Sequence, residues 1–179
     1  MQSIPLYSIL TGILTGILSS LVASYVWFYL FSQLKPKIEI APKIAKYVNG
    51  NGETKFKIKV INRTKYDVNI EAKLYVVRIE NGIDGDIYIR KKIPLIVDKL
   101  FLLKRFDKND SKDEYAFRFL LKKDIDRYWQ SDTNQRLRFC IYAKHSLSGF
   151  GESFVQEYRK KNNDIQAGDF MIGDTFEIK

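Results

Sequence analysis

Two side chains could do nucleophilic or acid–base chemistry, Cys140 and His145, each the single member of its type. A thiol–imidazole dyad needs the two groups within hydrogen-bond reach of each other. They lie five residues apart on one predicted strand, so in a regular strand they project to opposite faces and a dyad is disfavoured. Cys140 then reads as a small core or near-core residue, and His145 as a capping or turn residue ahead of Ser146-Leu147-Ser148-Gly149. A zinc site needs three or four nitrogen and sulfur ligands, and the chain supplies two. Calcium would use oxygens at alternate positions, as Asp107-Lys108-Asn109-Asp110-Ser111-Lys112-Asp113 begins to offer. That run places Lys112 where an EF-hand needs glycine and Arg118 where it needs the bidentate glutamate. Asp84 and Asp86 flank Gly85, with Tyr88 where a third ligand would fall. Both segments read as polar turns. No phosphate-binding glycine loop, nucleophile elbow or dinucleotide fingerprint occurs. This inventory predicts a non-enzymatic protein without metal or cofactor.

The cations are more informative. The chain has 30 Lys and Arg against 21 Asp and Glu, for a net charge of +9. Lys55, Lys57 and Lys59 alternate along one predicted strand and share its outward face, with Arg63 and Lys65 just beyond. Lys91-Lys92, Lys122-Lys123 and Arg159-Lys160-Lys161 add further clusters. An anionic leaflet attracts such residues by about 1 kcal/mol each. Lysines on outer strand positions also block edge-to-edge aggregation, and the two readings stand side by side. Nucleic acid is the less favoured partner, because the tyrosines and phenylalanines fall at inward strand positions instead of interleaving with the lysine row.

These residues are positioned by two different materials. Residues 1–34 carry no charged side chain, and every charge lies in residues 35–179. An uncharged run from Ile4 to Leu34 is long enough to span a bilayer with tilt. A cleaved signal peptide is the rival. It lacks a positive n-region here, and its apolar run would be too long. Tyr7 marks one interface, and Trp27 and Tyr29 lie towards the other. Lys35, Lys37, Lys43 and Lys46 follow the helix against the single acid Glu39. The positive-inside rule then places residues 35–179 in the cytoplasm and the N-terminus across the inner (plasma) membrane. The unpaired Cys140 suits a reducing compartment. Ser8, Gly12, Gly16, Ser20 and Ser24 recur every fourth residue, beside Thr11, Thr15, Ser19 and Ala23. Such a small-residue face lets two backbones approach, which predicts a homo-oligomer through the helix.

Beyond Lys35-Pro36-Lys37 almost no linker remains, so the domain is expected close to the headgroups, with Lys35 and Lys37 beside Lys55, Lys57 and Lys59 as its membrane-surface cations. Period-two alternation marks strands at Lys55–Val60, Ile70–Val76, Tyr115–Leu121, Leu137–Ala143 and Ser153–Tyr158. Ile87–Arg90 and Pro94–Leu103 read as further strands, Asn81–Asp86 as a loop, Lys122–Trp129 as a helix-like turn, and Phe170–Ile178 as a last strand after Gly168. The expected fold is mainly β: a transmembrane helix over 1–34, then an antiparallel β-sandwich or barrel-like domain over 35–179.

The run Leu137–Phe154, centred on Tyr142-Ala143-Lys144-His145-Ser146-Leu147-Ser148-Gly149, carries a resemblance together with the tail Ala167-Gly168-Asp169-Phe170-Met171-Ile172-Gly173. The chain resembles small bacterial single-pass membrane proteins built as an anchor, a Lys-Pro-Lys junction and a β-rich domain, which bring no assigned activity. Its plan is also similar to membrane-acting effectors of bacterial anti-phage systems. The residues themselves predict a membrane-anchored cytoplasmic binding or scaffold module with an unidentified protein or small-ligand partner, and the likeness in plan implies the alternative, an oligomerising defence effector whose β-domain senses one.

Overall fold

The computed structural model describes residues 6–130, 134–146 and 148–179. The chain forms two compact units that divide between Lys35 and Pro36.

The first unit is a single helix, α1 (Leu6–Ser32). Over Tyr7–Ser32 its mean hydropathy is 1.8, which makes it long and apolar enough to cross a membrane. At 1.5 Å per residue it reaches about 40 Å, against a hydrocarbon thickness of about 30 Å. A signal sequence at this position meets the same test. The hydroxyls along the small-residue face bend back onto the helix. Thr11 Oγ1 donates to Tyr7 O at 3.0 Å, Thr15 Oγ1 to Thr11 O at 2.6 Å, and Ser24 Oγ to Ser20 O at 2.7 Å. Those donors are therefore satisfied within one helix. At Gly12 and Gly16 the space a Cβ would fill is open.

The second unit is a sandwich of two five-stranded sheets. In the first sheet β3 (Thr54–Asn62) is central. β7 (Ala116–Leu120) runs along one edge; β1 (Ile38–Ile40) and β2 (Ile44–Val48) follow one another along the other. Pro42 interrupts that edge, where it has no N–H to give to the ladder. β10 (Ile165–Ala167) adds in parallel to β2. In the second sheet β4 (Val68–Gly82) is central and pairs with β8 (Gln135–His145) over eleven residues from Val68↔His145 to Arg78↔Gln135. β9 (Gly151–Tyr158) lies outside β8. The other edge of β4 takes β5 (Gly85–Ile93) and then β6 (Lys99–Leu103).

The inward rows interlock between the sheets. Phe56, Ile58 and Val60 face Ile70, Ala72, Leu74, Leu137, Phe139 and Ile141, with Phe119 T-stacked on Phe139 at 5.6 Å. A 3₁₀ turn at Ile125–Arg127, capped by the Asp124 carboxylate, drops Trp129 into the same core. The mainly β, antiparallel expectation is met, with one parallel pair added.

Three local expectations change. Asn81–Asp86 is a two-residue hairpin turn, with Gly82 paired to Gly85, because glycine tolerates the +131° φ at Gly85. Pro94–Leu103 is not one strand: Leu95 leaves to bridge Leu121, and Ile96 N–H donates to Leu120 O, so the segment crosses to the other sheet before β6 begins. Phe170–Ile178 closes on itself. Phe170 bridges Ile178, and Asp169 and Lys179 exchange backbone hydrogen bonds of 2.7 and 3.0 Å. This closed tail lies on the outer side of the first sheet, with Phe170 and Ile178 against Ala41 and Ala45 and Phe176 against Ile61 and Tyr115.

Candidate functional site

The lysine row of β3 behaves differently from its expected surface role. Lys55 keeps 29% of its side chain exposed and pairs with Glu53 at 2.9 Å. Lys57 is 13% exposed, bonded to Asp169 at 2.5 Å, and lies 3.7 Å from the Tyr47 ring centroid. Lys59 is not a membrane-surface residue: its side chain is fully buried. Period two correctly points it away from the main core, but the C-terminal tail covers it. Its ammonium donates to the carbonyls of Met171, Gly173 and Thr175 at 2.8, 2.5 and 3.0 Å, with the Asp113 carboxylate at 3.7 Å. Burial lowers the Lys59 pKa, opposed by Asp113. Arg118 pairs with Asp113 at 3.0 Å and also donates to Met171 O. Arg63 pairs with Glu39 and donates to Asp174 O. Lys35 and Lys37 are exposed.

Cys140 and His145 do lie on opposite faces of β8. Cys140 is half-buried on the outer face opposite Lys73 and Val155, so it is not a core residue. Burial raises its thiol pKa, which works against thiolate chemistry. The acidic runs serve turns: Asp107 accepts from Asn109 N–H at 2.9 Å, and Asp110 from Lys112 and Glu114 N–H at 2.9 and 2.7 Å. The second sheet's outer face departs from expectation. Tyr75, Tyr88 and Tyr142 face outward among Arg136, Arg138 and Lys73. Glu157 holds that face together, 3.2 Å from Arg136, 2.6 Å from Arg138 and 3.3 Å from Arg159.

A concave site lined by cations lies at one end of the sandwich. It is an open cleft of about 470 Å³ between the β3–β4 loop, the segment after β6 and the end of β8. Buried Asn62 builds it. Its amide nitrogen donates to Tyr66 O and Lys104 O at 3.0 and 2.8 Å, and its oxygen accepts from Thr64. Arg63 N–H donates to Lys37 O at 2.8 Å, so β1 begins at this same end. Lys65, Lys104 and Arg105 line the cleft, with His145 and Ser146 at its wall. Lys104 pairs loosely with Glu114 at 3.6 Å. Among the described residues neither Lys65 nor Arg105 has a carboxylate partner for its side chain. Among the described residues Asp67 is the one acid in the lining, and its Oδ1 is engaged by Arg105 N–H at 2.8 Å. His145 is 6% exposed and set edge-on against Tyr66, ring centroids 4.3 Å apart. Its Nδ1 lies 3.0 Å from the Ser148 amide nitrogen, which can only donate. The neutral ring therefore carries its proton on Nε2. This is the turn-capping role expected for His145. Its place beside three cations from distant segments left no signal in the sequence.

The sequence matches no family model and no curated protein. Among solved structures, the chain is similar to one in the chaperone–tip adhesion subunit pre-assembly complex of the archaic chaperone-usher Csu pili of Acinetobacter baumannii. That similarity has a TM-score of 0.42 at 12% identity, and covers 73% of this chain and 56% of that one. The chain thus spans little more than half the length of that relative.

Proposed function

We propose that the chain is a membrane-anchored, non-enzymatic binding or scaffold module whose β-sandwich works at the cytoplasmic surface of the inner membrane. The observation that carries the reading is the division of labour along the chain. A membrane-length helix without charge, α1, is followed by a sandwich whose nucleophile and imidazole are apart, with its acidic turns engaged by backbone amides. Orientation rests on the lysines that follow the helix, Lys35, Lys37, Lys43 and Lys46. Lys57 and Lys59 are held by the tail, whereas Lys37, Lys65 and Arg105 are among the exposed cations that would meet an anionic leaflet, and lipid is placed ahead of nucleic acid as the anionic partner. The small-residue face of Ser8, Gly12, Gly16, Ser20 and Ser24 favours a second reading, an oligomerising membrane effector of bacterial defence whose β-domain senses a ligand or protein.

Protease added to intact cells tests the first reading. The domain should stay uncut until the membrane is ruptured. Cleavage within residues 36–179 of intact cells would overturn the cytoplasmic placement.

A further inference from the structure

We infer that the cleft of Lys65, Lys104, Arg105 and His145 is a binding site for a phosphate group, supplied by an anionic lipid headgroup or by free phosphate. The inference deepens the binding-module reading by naming the chemistry of the ligand. Its free-phosphate form does not depend on which side of the membrane the domain occupies.

Three properties of the cleft point to a tetrahedral oxyanion. Its charge comes first: three cations against Asp67, with Lys65 and Arg105 lacking a carboxylate partner among the described residues. The donor set comes second. Arg105 offers a planar fork suited to two phosphate oxygens, and Lys65 and Lys104 offer compact charges. His145 is fixed by the Ser148 amide on Nδ1, which leaves Nε2–H to donate. Construction is the third property. The loop carrying Lys65 is tied to the segment carrying Lys104 and Arg105 through buried Asn62, and Ser146 Oγ donates to Asp67 O at 3.3 Å. The backbones bearing the cations are therefore held in place before a ligand arrives, which lowers the ordering cost of binding.

The test uses the full chain in nanodiscs, with ¹³C-labelled histidine in this chain only. His145 is its single histidine, so one ring signal reports the cleft. In the first arm, phosphatidylcholine discs are titrated with inorganic phosphate at constant pH and ionic strength. In the second, phosphate-free buffer is kept and phosphatidic acid is raised in the discs. A saturable shift of the His145 signal in either arm is the expected result. A response to inorganic phosphate alone identifies a soluble phosphate as the source, and a response to phosphatidic acid alone identifies the headgroup. Lys65→Ala with Arg105→Ala should weaken the response about tenfold or more, because two charge-assisted contacts are lost. Lys91→Ala with Lys92→Ala removes the same charge outside the cleft and should change it less than about twofold. No saturable shift in either arm, or equal weakening by the two double variants, overturns the site. A domain found outside the cell would overturn the cytoplasmic placement while leaving the inorganic-phosphate arm intact.

Discussion

Replacing Lys59 with methionine isolates the most unusual interaction in the domain. Methionine is unbranched and of nearly the same length as the lysine stem, so packing changes little and the ammonium is what disappears. Three carbonyls, of Met171, Gly173 and Thr175, then lose their donor, and Asp113 loses one of its two cations. Removing one partner of a buried ion pair costs about 3–5 kcal/mol. Arg118 still holds Asp113, and relief of Lys59 desolvation offsets part of the loss, so the lower end applies, about 3 kcal/mol. For a chain of this size that lowers Tm by about 6–12 °C. The control is Lys55→Met on the same face of the same strand, whose solvent-screened pair with Glu53 contributes little. Thermal unfolding of the detergent-solubilised chain measures the difference. Hydrogen exchange at Asp169, Met171 and Lys179 locates it, because these amides close the tail. If Lys59→Met and Lys55→Met unfold within about 1 kcal/mol of each other with the tail amides equally protected, the carbonyl cage is not what secures the tail.

Other expectations follow the same logic. Gly16→Ile should still insert but lose crosslinked oligomer in membranes, with Leu18→Ile unchanged. Equal oligomer yield would reduce the small-residue face to composition and remove the main support of the effector reading. Burial alone would raise the Glu157 pKa, yet the hydrogen bonds and charges of Arg138, Arg136 and Arg159 outweigh it and hold the carboxyl below its ordinary value. Its folded pKa lies below the unfolded one. Its contribution is therefore present at neutral pH and fades as pH falls from about 4.3 through the folded value. Glu157→Gln should cost about 1–2 kcal/mol at neutral pH and flatten the acid limb of stability; an unchanged acid limb would discount the arginine fan. Gly168 has φ +124°, and a Cβ there would lie 2.5 Å from Lys179 O. Gly168→Ala should cost about 1–3 kcal/mol and open the tail by hydrogen exchange, and a neutral result would show that the closure tolerates a side chain.

Strands with one face on the core were legible, because alternation of apolar and polar residues is the signature of a half-buried strand. Lys55–Val60 and Leu137–Ala143 are the clearest cases. β2 was not, since Ile44 faces the main core and Ala45 lies beneath the tail, so both are buried and the alternation vanishes. The same cover explains Lys59: period two says which face a residue occupies and nothing about what later lands on it. Pro94–Leu103 misled because an apolar run looks alike whether it stays in one sheet or passes between two. The cleft was the least legible feature. Lys65, Arg105 and His145 come from three separated segments, and only the pairing of β4 with both β6 and β8 gathers them.

That pairing also governs how the chain reaches its fold. The longest ladder joins Val68 to His145 and Arg78 to Gln135, so it cannot begin until residues far along the chain have been synthesised. β1 to β3 and the β4–β5 hairpin are local and form early, while one full edge of β4 waits without a partner. Closing such distant contacts is slow, and an open strand edge is where neighbouring chains can join in error. If α1 has already reached the bilayer, nascent copies share a surface and the encounter rate rises. The expression level at which this protein still folds should therefore be set by the wait for β8 more than by the stability of the finished sandwich.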